Sequence, residues 1–148
     1  DGPERPCVRV LRADGTDTGI AFHGVPGGHE FNSFVVGLYN AAGPGQSIDP
    51  ALAEAIAAID RPLDLQIVVA LSCTMCPELV IAAQKIAASN PLVTAKVYDV
   101  NHFPELRERY KIMSVPCLII NKAKVAFGKK TLGQLLELLA EPEAGQTG

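Results

Sequence analysis

Apolar and polar positions alternate over Cys7-Val-Arg-Val-Leu11 and again over Gly19-Ile-Ala-Phe-His23. A turn cluster at 13–17 lies between them, so this stretch is a predicted β-hairpin. Pro26-Gly27-Gly28 then breaks the chain. From His29 to about Asn40 the period lengthens. Phe31, Phe34, Val35 and Leu38 fall at i, i+3, i+4 and i+7, which predicts a helix with that stripe as its core face. Gly43 to Ser47 reads as a linker. Asp49 and Pro50 are the N-cap and first residue of a second helix with Leu52, Ile56 and Ile59 as its stripe. Leu63 to Leu71 reads as a long strand with a nearly continuous apolar end, which predicts a central position in a sheet. A helix from Thr74 to about Ser89, stopped by Asn90-Pro91, a strand from Val93 to Val100 and a short helix from Pro104 to Lys111 follow. Cys117–Ile120 and Lys124–Phe127 read as strands joined by a tight turn at Asn121. Leu132, Leu135, Leu136 and Leu139 mark a last amphipathic helix. A polar tail over 141–148 is expected to be mobile.

From residue 49 the predicted order is α-β-α-β-α-β-β-α, which is an α/β fold. Residues 7–41 read β-β-α, and so do residues 117–140, a weak repeat that rests on element order rather than matching residues. With 148 residues the chain can bury one good core. A net charge of −3 gives no basic surplus for nucleic acid or an anionic membrane surface, so neither is expected as a partner. No apolar run approaches the roughly 18 residues of a membrane span. The start at Asp1, without methionine or a secretory signal pattern, suggests a processed chain or a fragment. Four cysteines are too few for a disulfide-stapled secreted domain, and a cytoplasmic location is expected.

Two of those cysteines, Cys73 and Cys76, are separated by two residues where the central strand gives way to a helix. A thiol attacks a disulfide only as its thiolate, and a free thiol, with a pKa of about 8.5, is mostly protonated at neutral pH. A helix beginning near Thr74 places Cys73 at the N-cap, where unpaired N–H groups and partial positive charge favour the thiolate. Cys73 can then attack a partner disulfide and Cys76 can resolve the mixed disulfide. Pro77 fits this register, since a proline is tolerated in the first turn of a helix. Downstream, Ser114-Val115-Pro116 precedes a strand. Pro116 is a candidate cis-proline, which would present the Val115 backbone to an extended segment of a partner.

These residues resemble the thioredoxin family. Residues 22–43, 71–91 and 112–132 together are similar to the N-terminal domain of the alkyl hydroperoxide reductase F subunit, and the likeness runs from about Phe22 to Leu139. The resemblance implies a complete thioredoxin-like unit over 46–140, preceded over 1–45 by a partial β-β-α unit that lacks CxxC. It implies that Cys73 attacks, Cys76 resolves, Pro116 is the cis-proline, and Glu30 of the GHEF motif serves as proton acceptor. Thr74, Met75 and Val115 are the expected substrate-binding residues. No bound cofactor is expected beyond a redox-active Cys73–Cys76 disulfide. Flavin and NAD(P)H would reside on a separate flavoprotein disulfide reductase, the donor, and a peroxiredoxin or another disulfide protein would be the acceptor. The front half of the first unit is not represented before residue 7, which leaves a strand edge for a partner or a missing segment to cover. No nucleotide or flavin module follows residue 140.

Two other functions remain open. One is a general glutaredoxin-like protein disulfide oxidoreductase. The other is a metal-holding or interaction module, in which Cys117 would be a third ligand and His29 or His102 a fourth. Cys117 otherwise reads as a small buried hydrophobe, Cys7 as structural, His29 as a helix N-terminal residue, and His23 and His102 as surface residues.

Overall fold

The longest apolar run does form the middle of the sheet. In the computed structural model, which describes residues 4–141, the strands are β1 (Cys7–Leu11), β2 (Asp17–His23), β3 (Leu63–Val69), β4 (Val93–Asp99), β5 (Cys117–Ile120) and β6 (Lys124–Phe127). They make one six-stranded sheet in the order β1-β2-β4-β3-β5-β6. β3 pairs in parallel with β4 from Leu63↔Val93 to Val69↔Asp99, and antiparallel with β5. β2 pairs in parallel with the other edge of β4, so the N-terminal hairpin belongs to the same sheet. Alternation along β3 splits the core between the two faces. Leu65, Ile67 and Val69 enter one cluster, and Val68 enters the other with Cys117 and Ile119.

The helices are α1 (Glu30–Ala42), α2 (Pro50–Ala57), α3 (Cys76–Ser89), α4 (Glu105–Arg109) and α5 (Leu132–Ala140). Ile56 of α2, Leu79 and Ile86 of α3 and Leu135 of α5 share the first cluster, and α1 lies along α3. Leu106 of α4 covers the second cluster. The Asp49 side chain caps α2 by accepting from Ala51 N at 2.9 Å, as the Asp-Pro pair predicted. The predicted linker is held at its start, where Asn40 donates to Gln46 Oε1 at 2.9 Å and accepts from Gln46 N at 2.7 Å.

The repeat is supported by matching residues. Cis peptide bonds at Arg5–Pro6 and Val115–Pro116 each precede a cysteine, Cys7 or Cys117, that opens a hairpin. In each hairpin a glycine closes the far end. Gly24 N–H donates to Pro6 O at 2.8 Å, and Gly128 N–H donates to Pro116 O at 3.0 Å.

Three expectations are corrected. The apolar stripe of α1 is not its core face: Phe31 is 61% exposed, Val35 and Leu38 are exposed too, and Phe34 alone is half-buried, edge-on to Phe22. The buried residues are Glu30, Ser33, Gly37 and Asn40. The reason is close approach to α3. A Cβ on Gly37 would stand 2.5 Å from Gln84 Oε1, so only the small, polar side of the helix fits. The start of α1 fixes the same rotation, because His29 N–H donates to Leu71 O at 2.8 Å. α3 begins at Cys76 rather than Thr74, after a turn closed by Cys73 N–H to Ala70 O at 2.9 Å. β2 begins at Asp17, two residues earlier than expected, where a register shift at Val10/Leu11 extends the pairing. Of the tail expected over 141–148, all but Glu141 lies outside the described residues.

Gly28 is required where α1 starts. It has φ +53°, and a Cβ there would sit 2.6 Å from Leu71 O. Gly28→Ala should cost about 2 kcal/mol or more, since a left-handed conformation alone costs an alanine roughly 1–2 kcal/mol. The midpoint of urea unfolding measures this, and an unchanged midpoint would show that the contact does not constrain the loop.

Candidate functional site

The site is assembled from three chain segments. The first is the turn between β3 and α3. Cys73 lies in it, half-buried, and Cys76 is the first residue of α3 with no exposed surface. Cys73 is therefore two residues upstream of the N-cap, Met75, rather than at it. Pro77 occupies the first turn of α3, where its missing N–H is harmless. Thr74 and Met75 between the thiols are exposed. Both cysteines are free thiols in this structure.

The second segment is the loop before β5. The Val115–Pro116 peptide is cis, as expected, and Val115 O stands 3.9 Å from Cys73 Sγ. Val115 is half-buried and Pro116 buried. The third segment comes from the N-terminal unit. The hydrogen bond from His29 N–H to Leu71 O brings the first turn of α1 against the turn that carries Cys73. Glu30 then enters the interior with no exposed surface, at the N-terminal end of α3.

The electrostatics follow from this burial. Desolvation pushes the Cys76 thiol well above its ordinary value, and its hydrogen bond with Cys73 pushes the same way. Nearby Glu30 adds to the rise. Desolvation also pushes Glu30 up to about 7, opposed by the Ser33 hydroxyl, which donates to Glu30 Oε1. Ser33 Oγ also lies 2.9 Å from Glu30 O, and Glu30 Oε2 has no hydrogen-bond partner. The arrangement has an accessible thiol, a buried thiol bonded to it, and a carboxyl that titrates near neutrality. Together they can carry out thiol–disulfide exchange with internal proton transfer.

Other candidates are separated from this cluster. Cys117 faces the opposite side of the sheet, packed with Val68 and Ile119, and desolvation pushes it up to about 11. It therefore does not complete a metal site with the pair. Among the described residues no group of three or more His, Cys, Asp or Glu side chains is placed to hold a metal ion. His29 is the N-cap residue of α1, as expected, and His102 is exposed. His23 was expected at the surface but is buried, stacked on Tyr98 with ring centroids 4.3 Å apart. Its place opposite Cys7 in the β1–β2 register puts it over the sheet. The sequence reading missed Ser33. Its spacing of three from Glu30 at a helix start was the available signal.

The chain belongs to the thioredoxin family, whose thioredoxin-domain model matches residues 63–140, a span that contains Cys73, Cys76 and Pro116. Within that family it is a thiol–disulfide oxidoreductase similar to part of the alkyl hydroperoxide reductase F subunit. It is 33% identical to the F subunit of alkyl hydroperoxide reductase in Pseudomonas aeruginosa over 135 residues, covering 91% of this chain and 25% of the relative. The chain thus spans about a quarter of the length of the curated relatives it matches. Its structure superposes on the N-terminal domain of the corresponding Enterococcus faecalis protein with a TM-score of 0.89 and 42% identity, covering 93% of this chain and 66% of the other. A protein disulfide oxidoreductase of Aeropyrum pernix shares the fold, with a TM-score of 0.79 at 23% identity, over 91% of this chain and 58% of the other.

Glu30 gives the site a signature in stability. Its pKa rises from 4.5 to about 7 on folding, so between these values the folded chain holds a proton that the unfolded chain has lost. Stability should fall as pH rises through that window, by about 3 kcal/mol for a shift of this size, and should stay lower above it. Glu30→Gln should flatten that slope in denaturant melts of the reduced protein between pH 4.5 and 7.5. A wild-type slope that survives the substitution would assign the titration to another group.

Proposed function

We propose that this chain relays electrons from a flavoprotein disulfide reductase to a peroxiredoxin through Cys73 and Cys76. The observation that carries the reading is the burial of Glu30 at the end of α3 where Cys76 begins, while Cys73 stays accessible beside Val115 O. The likeness to the alkyl hydroperoxide reductase F subunit supports the choice of donor and acceptor. In this reading the unit over 1–45 contributes Glu30, and the unit over 46–140 contributes the thiols. The reaction runs in the cytoplasm, and flavin and nicotinamide belong to the donor. No cofactor acts at the site beyond the Cys73–Cys76 disulfide.

The donor's thiolate first reduces the Cys73–Cys76 disulfide. Cys73 then attacks the acceptor disulfide, forming a mixed disulfide and releasing one acceptor thiolate. The acceptor's extended segment lies along Val115 beside cis-Pro116, with Thr74 and Met75 flanking it. Cys76 next gives up its proton to Glu30 and attacks Cys73 Sγ, breaking the mixed disulfide and releasing the second acceptor sulfur as a thiolate. Two electrons leave the dithiol and the Cys73–Cys76 disulfide re-forms. Because Cys76 resists ionisation in its apolar surroundings, an internal base with a pKa of about 7 suits this second attack.

The test is NADH consumption in a mixture of a flavoprotein disulfide reductase, this chain and an oxidised peroxiredoxin. Turnover should require the chain and vanish in Cys73→Ser. Cys76→Ser should accumulate a mixed disulfide through Cys73, visible on a non-reducing gel. Glu30→Gln should slow resolution by about 100-fold, the lower range for a lost general base. Insulin reduced as fast as the peroxiredoxin would replace this reading with the general glutaredoxin-like one.

A further inference from the structure

Cys7, which the sequence read as structural, has a second feature beside it. It is exposed, and its Sγ lies 3.7 Å from His23 Nε2. The other ring nitrogen, Nδ1, lies 2.8 Å from Glu4 O. A carbonyl oxygen can only accept, so Nδ1 carries a hydrogen, and in the tautomer with hydrogen on Nδ1 alone the Nε2 lone pair faces the thiol. The ring is held in place. It stacks on Tyr98 at an interplanar angle of 5° and meets Phe103 edge-on at 6.1 Å. Tyr98 OH in turn donates to Glu4 Oε1 at 2.6 Å. A nucleophile, a base aimed at it and a group that orients the base are the parts of an activated thiol.

The thiol also faces space. A cavity of about 720 Å³ is lined by Cys7, His23, Arg9, Lys96, Glu4 and Asp17, among others. Arg9 pairs with Asp17 and Lys96 Nζ stands 3.8 Å from Asp64 Oδ1, so the rim presents both signs of charge, which suits a small zwitterion with carboxylates and an amine. The residue at the matching position, Cys117, is buried in the second apolar cluster, with Phe127 across the hairpin where His23 faces Cys7. The two cysteines that follow cis-prolines thus differ in the two features that matter for reactivity, access and a base.

We propose that Cys7 and His23 form a second exchange site, separate from Cys73–Cys76, that takes disulfides of small cysteinyl peptides such as glutathione. The Cys7 proton passes to His23 Nε2 as Sγ attacks one sulfur of the peptide disulfide. The Cys7–peptide S–S bond forms while the original S–S bond breaks. The leaving peptide thiolate takes the proton back from the imidazolium and departs as thiol. The peptide disulfide is the oxidant and Cys7 is oxidised to the mixed disulfide. Partial burial pushes the Cys7 thiol up from its ordinary value, which is why a base is needed at the moment of attack.

The experiment treats the whole chain with oxidised glutathione, quenches with acid and maps adducts by mass spectrometry, with Cys117 as internal control. Cys7 should gain one glutathione, removable by dithiothreitol, while Cys117 gains none. The rate at Cys7 should fall by at least about tenfold in His23→Gln. Lys96→Ala should slow glutathione but not an uncharged disulfide such as hydroxyethyl disulfide. An unmodified Cys7 under conditions that fully oxidise Cys73–Cys76 would overturn the proposal, as would equal rates in wild type and His23→Gln. Should His23→Gln fail to fold, wild type alone decides. Cys7 must react faster in the folded chain than in denaturing urea, and an equal or slower rate overturns the proposal.

Discussion

The site depends on one contact, the hydrogen bond from His29 N–H to Leu71 O, with Gly28 allowing the backbones to approach. Leu71 lies two residues before Cys73, so the bond ties the N-terminal hairpin and helix to the turn that carries the thiol. It also sets the rotation of α1. Once His29 is anchored, Glu30 points inward, and Ser33, Gly37 and Asn40 follow on the same face at spacings of three and four. That face is poor in apolar surface and includes a carboxyl. It can pack only because the small residue Gly37 accepts the side chain of Gln84. The interface leaves Glu30 Oε2 and both amide atoms of Gln84 without hydrogen-bond partners. Groups left in that state typically cost a fold about 1–3 kcal/mol each. A purely structural contact between two helices would be built from apolar residues, and this chain has them in Phe31, Val35 and Leu38, one face around.

This inversion marks the limit of what could be read from the sequence. The order of elements in the second unit, the cysteine pair at a strand–helix junction and cis-Pro116 were all legible, because each depends on local chemistry. β3 ends in a continuous apolar run, Pro77 is compatible only with a first turn, and Pro116 directly precedes a strand. The orientation of α1 was not legible. Periodicity shows that a helix has an apolar side, but not that the fold uses that side. Here the choice was made by a long-range backbone contact and a glycine, neither of which contributes to an apolar pattern. The start of α3 was misplaced for a related reason. Pro77 permits a helix beginning anywhere within the preceding turn, and the hydrogen bond from Cys73 N–H to Ala70 O decided among these. His23 was read as a surface residue because its aromatic partners, Tyr98 and Phe103, lie some 75 to 80 residues away in the chain.

The repeat explains why two environments for a thiol coexist in one sheet. Cys7 and Cys117 occupy matching positions after cis-prolines, and each opens an antiparallel hairpin. Their surroundings differ because the second hairpin sits beside β3 and under the cluster that Leu106 and Phe103 help to build. β1 instead forms the edge of the sheet. The residues opposite the two cysteines differ as well, His23 across from Cys7 and Phe127 across from Cys117. The two positions are therefore alike in backbone and differ in chemistry, Cys117 packing in an apolar cluster and Cys7 facing His23.

At the cysteine pair itself, access orders the events more firmly than acidity does. Cys76 has no exposed surface, so in the proposed exchange the first bond to another protein's disulfide forms at Cys73. In the same proposed exchange the second bond forms at Cys76, inside the core, where a bare thiolate is costly. Burial that makes Cys76 a poor first nucleophile therefore creates the need for a proton acceptor within the protein. The same burial raises Glu30 toward neutrality and makes it able to accept a proton and release it again at physiological pH. One desolvated interface between α1 and α3 thus accounts for both the order of attack and the base that completes the proposed exchange.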